Sequence, residues 1–199
     1  MHPSAAPRQL AARLLSHSRL CGPSKAFSHV ATALGPRSPP GRDGVGGRHV
    51  LRVFLPEAGG SAGGADIDHA DRAVGQSADQ PARPQRLRTV SPDVHAVDGT
   101  PADCVALGTH LWEKTDVVLS GINMGLNLGN SMWHSGTLAA AKQAVLLGIK
   151  GIALSTPAGK KEPDWKTIEP YVEKVLAMLL EKPELYLMNV NFPRNPSGI

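Results

Sequence analysis

The chain has 199 residues, enough for one domain or for one domain with a tail. Its two cysteines, Cys21 and Cys104, exclude a disulfide-rich scaffold and a multi-cysteine metal cluster, and no apolar run approaches the ~20 residues that span a bilayer. The formal net charge of +4 falls wholly in the first half: residues 1–100 hold 12 Lys+Arg against 8 Asp+Glu, and residues 101–199 hold 9 of each. The first 100 residues also contain two Phe, no Tyr or Trp, 12 Gly and 10 Pro, and their bases are Arg except for Lys25. In the second half the bases are Lys except for Arg194. Two sequences of different character meet near Val97.

Residues 1–42 carry no Asp or Glu, include Arg8, Arg13, Arg19, Arg37 and Arg42, and have a short amphipathic stretch around Arg8–Leu20. This is the composition of an organelle transit peptide. A disordered basic leader, or sequence foreign to the native product, accounts for it as well, and those two readings are preferred. Residues 43–96 form an atypical segment in which only His49–Leu55 predicts a strand. Ala65–Pro92 lacks apolar periodicity and is expected to stay disordered, because it offers little burial to offset ordering entropy. Within it, His69 with Asp66, Asp68 and Asp71 is metal-like in composition but has no preorganised frame, and reads as a solvated run. The Arg excess alone would suit nucleic acid, yet the near absence of stacking aromatics and of any recognisable motif argues against such a partner.

Residues 97–199 have the texture of an α/β protein. Thr100-Pro101 predicts an N-cap with Pro at the first helical position and Asp103 in the first turn, opening a helix over Ala102–Leu111. Asp116–Ser120 is a β-branched apolar run that predicts a buried parallel strand. A helix follows over Ser135–Leu147, closed by Gly148, and then a strand over Ile149–Ser155. Trp165–Glu181 predicts an amphipathic helix with Ile168, Val172, Val175, Leu176 and Leu179 on one side. Leu185–Val190 gives the last strand. This alternation predicts a parallel sheet covered by helices.

The segment Ser120–Thr137, SGINMGLNLGNSMWHSGT, leaves a buried strand, crosses a polar loop and starts a helix. Ligands of open α/β sheets bind at the carboxyl ends of strands. Gly121, Gly125 and Gly129 allow close backbone approach, and Asn123 and Asn127 offer neutral side-chain groups. Ser135, Gly136 and Thr137 would present hydroxyls, free N–H groups and the positive helix end to an anion such as phosphate. An Asn carbonyl beside such a site suits a hard cation, Mg²⁺ or Mn²⁺. The plainer reading is a glycine-rich turn held by its Asn residues, with Ser135 as a cap only; the number of Asn, Gly and hydroxyl groups together favours the anion site. His134 reads equally as an acid or phosphate contact and as a rim residue. Cys104 reads as a buried small hydrophobe, since no base accompanies it.

DVVLSGINMGLNLGNSMWHSGTLAAAKQA, preceded by DGTPADCVALG at 98–108 and followed by GIKGIALS at 148–155 and NVNFP at 189–193, resembles the SurE family of 5′/3′-nucleotidases, the survival proteins. The resemblance covers about Val97–Ile199. It implies a Rossmann-like α/β fold, a divalent-metal-dependent phosphatase of nucleoside monophosphates, a homodimer or tetramer, and a cytoplasmic setting. It makes Asn123 a metal ligand, and places Asn127, Ser135, Gly136 and Thr137 around the phosphate. The family's Asn-Asp-Asp-Gly motif has no counterpart; the nearest string is Arg42-Asp43-Gly44-Val45. Val50–Gly64 loosely matches the family's second strand and following loop, which would make Ser61 a further metal ligand. The break near Val97 leads to the hypothesis that the first quarter is missing or misread, as an upstream frameshift would produce; sequencing the encoding DNA and finding no other frame with an apolar strand and Asn-Asp-Asp-Gly would refute it. The chain is also expected to stop short of the family's C-terminal segment. Two function classes follow: an active metal-dependent nucleotidase, or an impaired homologue without the aspartate pair that binds anions at most.

Overall fold

The computed structural model describes residues 29–34, 50–54, 86–91, 94–112, 114–159 and 161–196. In chain order these give strands β1 (His29–Leu34), β2 (Val50–Phe54), β3 (Arg86–Ser91) and β4 (Val94–Asp98), helix α1 (Pro101–Leu111) and strand β5 (Val117–Met124). A 3₁₀ turn over Gly129–Trp133 leads to α2 (Gly136–Leu146), β6 (Lys150–Thr156), α3 (Trp165–Leu180) and β7 (Leu187–Asn191). The strands form one sheet in the order β3-β4-β1-β2-β5-β6-β7. β2, β5, β6 and β7 run parallel, with Val50 opposite Val117, Val117 opposite Lys150 and Gly151 opposite Leu187. β1, β4 and β3 add antiparallel strands on the other edge.

The parallel half follows the sequence closely. β2, β5 and β6 are buried on both faces, so their sequences are nearly continuous apolar runs. Arg52 is the exception: it is fully buried in β2, between Thr32 and Leu119 in register. α3 lies on one face, where Ile168, Val172, Leu176, Leu179 and Leu180 form its apolar stripe against Leu119, Ile152 and Leu154. α1 and α2 lie on the other face, over Leu51, Val53, Val97 and Val118. α2 approaches β6 so closely that a Cβ at Gly151 would meet the carbonyl oxygen of Ala141.

The helix ends are set by local chemistry. Thr100 and Asp103 form a reciprocal capping box: the Asp103 N–H donates to Thr100 Oγ1 at 3.2 Å, and the Thr100 N–H donates to Asp103 Oδ2 at 2.7 Å. Asp164 caps α3, accepting from the Lys166 N–H at 3.1 Å and the Thr167 hydroxyl at 2.8 Å; the Thr167 bond is the main reason its carboxyl is held below the ordinary value. At the other end of α3, the Lys150 ammonium donates to the carbonyls of Leu179, at 2.8 Å, and Lys182, where a cation is favoured. Gly148 closes α2 with φ of +76°.

β1, β3 and β4 depart from the sequence-based expectation. β1 lies within residues 1–42 yet takes an interior place in the sheet, between β4 and β2. β3 falls within the stretch expected to be disordered, and Leu87 to Val90 on it are exposed. Antiparallel strands need only one buried face, so such strands carry no continuous apolar run to reveal them. No helix among the described residues is long and apolar enough to cross a membrane.

Candidate functional site

β5 carries the site to the carboxyl end of the sheet. Its side chains alternate, with Val117 and Leu119 packed on the α3 side and Val118 on the α2 side, which puts the fully buried Ser120 on the α2 side. Ser120 Oγ has no hydrogen-bond partner. At Gly121 the backbone takes φ of +117°, and a Cβ would collide with the carbonyl oxygen of Leu154 on β6, so only glycine fits. The Gly121–Ile122 peptide is cis. The pairing of β5 with β6 shifts between Ser120 and Asn123, after which Asn123 stands opposite Ser155 and Met124 opposite Thr156. Such a bulge re-aims the side chains that follow it.

Asn123 is half-buried and closes the turn beyond β5, its Nδ2 donating to the carbonyl of Gly125 at 2.8 Å. The amide is thereby oriented and leaves Oδ1 as the open acceptor. The Gly125 N–H donates to the carbonyl of Thr156 at 2.9 Å and ties the loop to β6. Asn127 is buried, and its groups reach two strands. Its Nδ2 donates to Ser155 Oγ at 2.7 Å, and its backbone N–H donates to Asn191 Oδ1 at 3.0 Å. Its carbonyl accepts from Asn189 Nδ2 at 2.9 Å and Asn191 Nδ2 at 3.3 Å. The loop thus crosses the carboxyl ends of β6 and β7. Ser131 steadies the 3₁₀ turn, donating to the Leu128 carbonyl at 2.6 Å and accepting from the Leu128 N–H at 3.2 Å.

Ser135 ends this crossing as the N-cap of α2, with extended backbone and Oγ accepting from the Leu138 N–H at 3.1 Å. Its carbonyl accepts from the Ala139 N–H at 2.8 Å. The N–H groups of Gly136 and Thr137 have no intrahelical acceptor, and no bond to them is made among the described residues. With the helix dipole, they and the Ser135 hydroxyl hydrogen make a set of donors whose chemistry suits an anion. Ser135 caps the helix through its Oγ as an acceptor, and its hydroxyl hydrogen is not used in that bond. His134 is exposed beside it, and Trp133 is 79% exposed with the Lys142 ammonium 5.4 Å from its ring centroid. Cys104 lies in the first turn of α1, fully buried, with its thiol pushed up to about 12 mainly by burial, as befits a small core residue.

The fold therefore brings together Asn123, Asn127, Ser135, Gly136 and Thr137 around one loop; Ser61 and Asp43 lie outside the described residues. Ser155, Asn189 and Asn191 hold this loop through their bonds to Asn127, and sequence reasoning did not single them out as site residues. The signal was present in the alternation Asn189-Val190-Asn191-Phe192, where Val190 and Phe192 pack into the α3-side core and the two Asn point the other way. For a divalent cation the described donor set falls short. Asn123 Oδ1 is one neutral oxygen, and among the described residues no group of three or more His, Cys, Asp or Glu could hold a metal. Hard cations take a fuller, acidic oxygen shell. The described residues by themselves do not fit Mg²⁺ or Mn²⁺.

Comparisons with known proteins agree with this architecture. The family model for survival protein SurE matches residues 44–198, well upstream of Val97, where the sequence resemblance had begun. The 5′-nucleotidase SurE of Paramagnetospirillum magneticum is 47% identical over 117 residues, which are 56% of this chain and 45% of that protein. The 5′-nucleotidase SurE of Deinococcus radiodurans is 45% identical over 109 residues, 53% of this chain and 41% of its own length. The chain thus spans about half the length of the curated relatives it matches. A crystal structure of the SurE protein from Aquifex aeolicus superimposes with a TM-score of 0.51 at 39% identity, covering 58% of this chain and 48% of that one. With the family model matching residues 44–198, more than half of the chain, and the α/β sheet in place, this chain belongs to the SurE survival-protein family.

Proposed function

We propose that the chain binds nucleoside monophosphates through their phosphate and hydrolyses the phosphomonoester. The observation that carries this reading is the start of α2: two amides, at Gly136 and Thr137, with no partner among the described residues, beside the Ser135 hydroxyl at the carboxyl end of the parallel strands. Support comes from the relatives that are 5′-nucleotidases by name. In this reading the three donors take phosphoryl oxygens, and the positive end of α2 offsets charge that develops on them during displacement. Asn127, expected around the phosphate, commits its Nδ2 and both backbone groups to Ser155, Asn189 and Asn191, and in this reading it holds the loop in place. Asn123 Oδ1 would serve a divalent cation, provided that carboxylates outside the described residues complete the shell. A homodimer or tetramer in the cytoplasm belongs to the same reading, by the family resemblance.

The test is release of inorganic phosphate from nucleoside monophosphates by the full chain, with and without Mn²⁺. Ser135→Ala is expected to lower turnover by about 10²-fold, as loss of one oxyanion donor does. The second reading, an anion-binding homologue without turnover, is favoured by the single neutral oxygen at the strand ends. It is the outcome if phosphate binds and none is released at any Mn²⁺ concentration.

A further inference from the structure

Two asparagines on β7 have no part in the reading above, yet they are the most heavily used polar side chains near the loop. Asn189 and Asn191 sit two residues apart on the last strand, so both face the α2 side of the sheet. Phe192 follows them, 3% exposed, and its N–H donates to the Ser155 carbonyl at 2.8 Å, so the end of β7 is anchored firmly. From that anchored position Asn191 grips both backbone groups of Asn127: Oδ1 accepts its N–H at 3.0 Å and Nδ2 reaches its carbonyl at 3.3 Å. Asn189 Nδ2 takes the same carbonyl at 2.9 Å and also lies 3.7 Å from the Met132 sulfur. A third contact, from Asn127 Nδ2 to Ser155 Oγ at 2.7 Å, fixes the loop to β6.

We infer that Asn189 and Asn191 are positioning residues, a clamp that fixes the loop between Asn123 and Ser135 and so sets the spacing of the two halves of the site. The argument is geometric. Asn123 is attached to the end of β5, and Ser135 begins α2; the chain between them is glycine-rich and its apolar side chains Leu126, Leu128, Met132 and Trp133 are all exposed. Core burial therefore does little to hold this stretch. What holds it at its middle is the set of amide bonds to Asn127, made by residues more than 60 positions later in the chain. A side-chain amide matches a backbone amide in both donor and acceptor, which is why asparagine, and neither aspartate nor leucine, completes the pair. Loss of such fixing displaces reacting groups, and displacement of about 1 Å can cost about 10²-fold.

This inference rests on the proposed phosphate site, and the experiment separates the two. Four forms of the full chain are compared: wild type, Asn191→Ala, Asn191→Asp and, as a core-destabilised control, Leu176→Ala on the α3 face of the sheet, opposite the side that Asn189 and Asn191 face. Each is titrated with inorganic phosphate, and amide exchange at Asn127 is followed. The expected result for Asn191→Ala is exchange at Asn127 faster by about tenfold or more, and phosphate affinity weaker by about tenfold with unchanged stoichiometry. Asn191→Asp, which keeps the acceptor for the Asn127 N–H, recovers part of both. The control lowers the number of competent sites without changing the affinity of those that remain. Phosphate affinity within about twofold of wild type in Asn191→Ala, or a change confined to stoichiometry as in the control, overturns the clamp. Wild-type chain that binds no phosphate overturns the site itself, and the clamp's functional role with it.

Discussion

At the scale of single residues, the site depends on one position where no side chain can be accommodated. Gly121 combines a positive φ of +117° with contact against the Leu154 carbonyl, so Gly121→Ala meets both backbone strain and collision. It is expected to lower stability by more than about 2 kcal/mol, seen as a lower urea midpoint at unchanged slope. Cys104 gives a second residue-scale prediction. Its thiol rises from 9.0 to about 12 in the fold, so the folded chain keeps this proton where the unfolded chain loses it. Its contribution to stability is complete below about 9 and is lost as pH rises toward about 12. In a Cys21→Ser chain the native thiol should resist alkylation at pH 8 and react only once urea unfolds the chain; rapid labelling of Cys104 in that folded chain would contradict its burial. Residue identity was readable in advance where chemistry is local. Thr100, Asp103 and Ser135 announce their caps because the bonds span three residues. Asn189 and Asn191 do not, because their partner Asn127 is more than 60 residues away and only the folded sheet supplies it.

At the scale of elements, α1 and α2 are positioned by their first turns. Thr100→Ala removes the two bonds that use the Thr100 hydroxyl, from the Asp103 N–H and to Asp103 Oδ2, leaves the bond from its backbone N–H, and should cost about 1 kcal/mol in chemical denaturation, with phosphate affinity unchanged. Ser135→Ala should cost a similar amount, about 1 kcal/mol, by loss of the Leu138 cap, but should also weaken phosphate binding. The contrast between the two caps separates a structural loss from a site loss. Element existence was legible for β2, β5, β6, α2 and α3, since each has a buried run or stripe of the right period. β5 runs four residues past the predicted Ser120, to Met124, because the bulge after Gly121 lets a glycine- and asparagine-containing stretch keep pairing with β6. β1, β3 and β4 were not legible: their pairings are antiparallel and non-local, and their segments are short and partly polar.

At the scale of the whole molecule, compositional contrast and structural contrast fall at different places. The Arg-rich first half looked foreign to the second, yet β2 from that half is the inner neighbour of β5, and the family model begins at residue 44. A single strand at the centre of a sheet needs only a few apolar residues, here Val50, Leu51 and Val53, so average composition over a hundred residues conceals it. The parallel half, in contrast, was legible as a whole, because alternating strands and helices have one simple layered solution. Its strand ends then make the proposed phosphate site a consequence of topology: β5 delivers Asn123, the loop bonded through Asn127 crosses β6 and β7, and α2 follows with the first-turn amides of Gly136 and Thr137. The most direct test of that claim is a titration of the full chain with inorganic phosphate, followed by the amide resonances. The account predicts saturable shifts centred on Gly136 and Thr137, reduced in Ser135→Ala. Shifts centred elsewhere, or none up to about 10 mM phosphate, a range that spans ordinary weak anion binding, would contradict it.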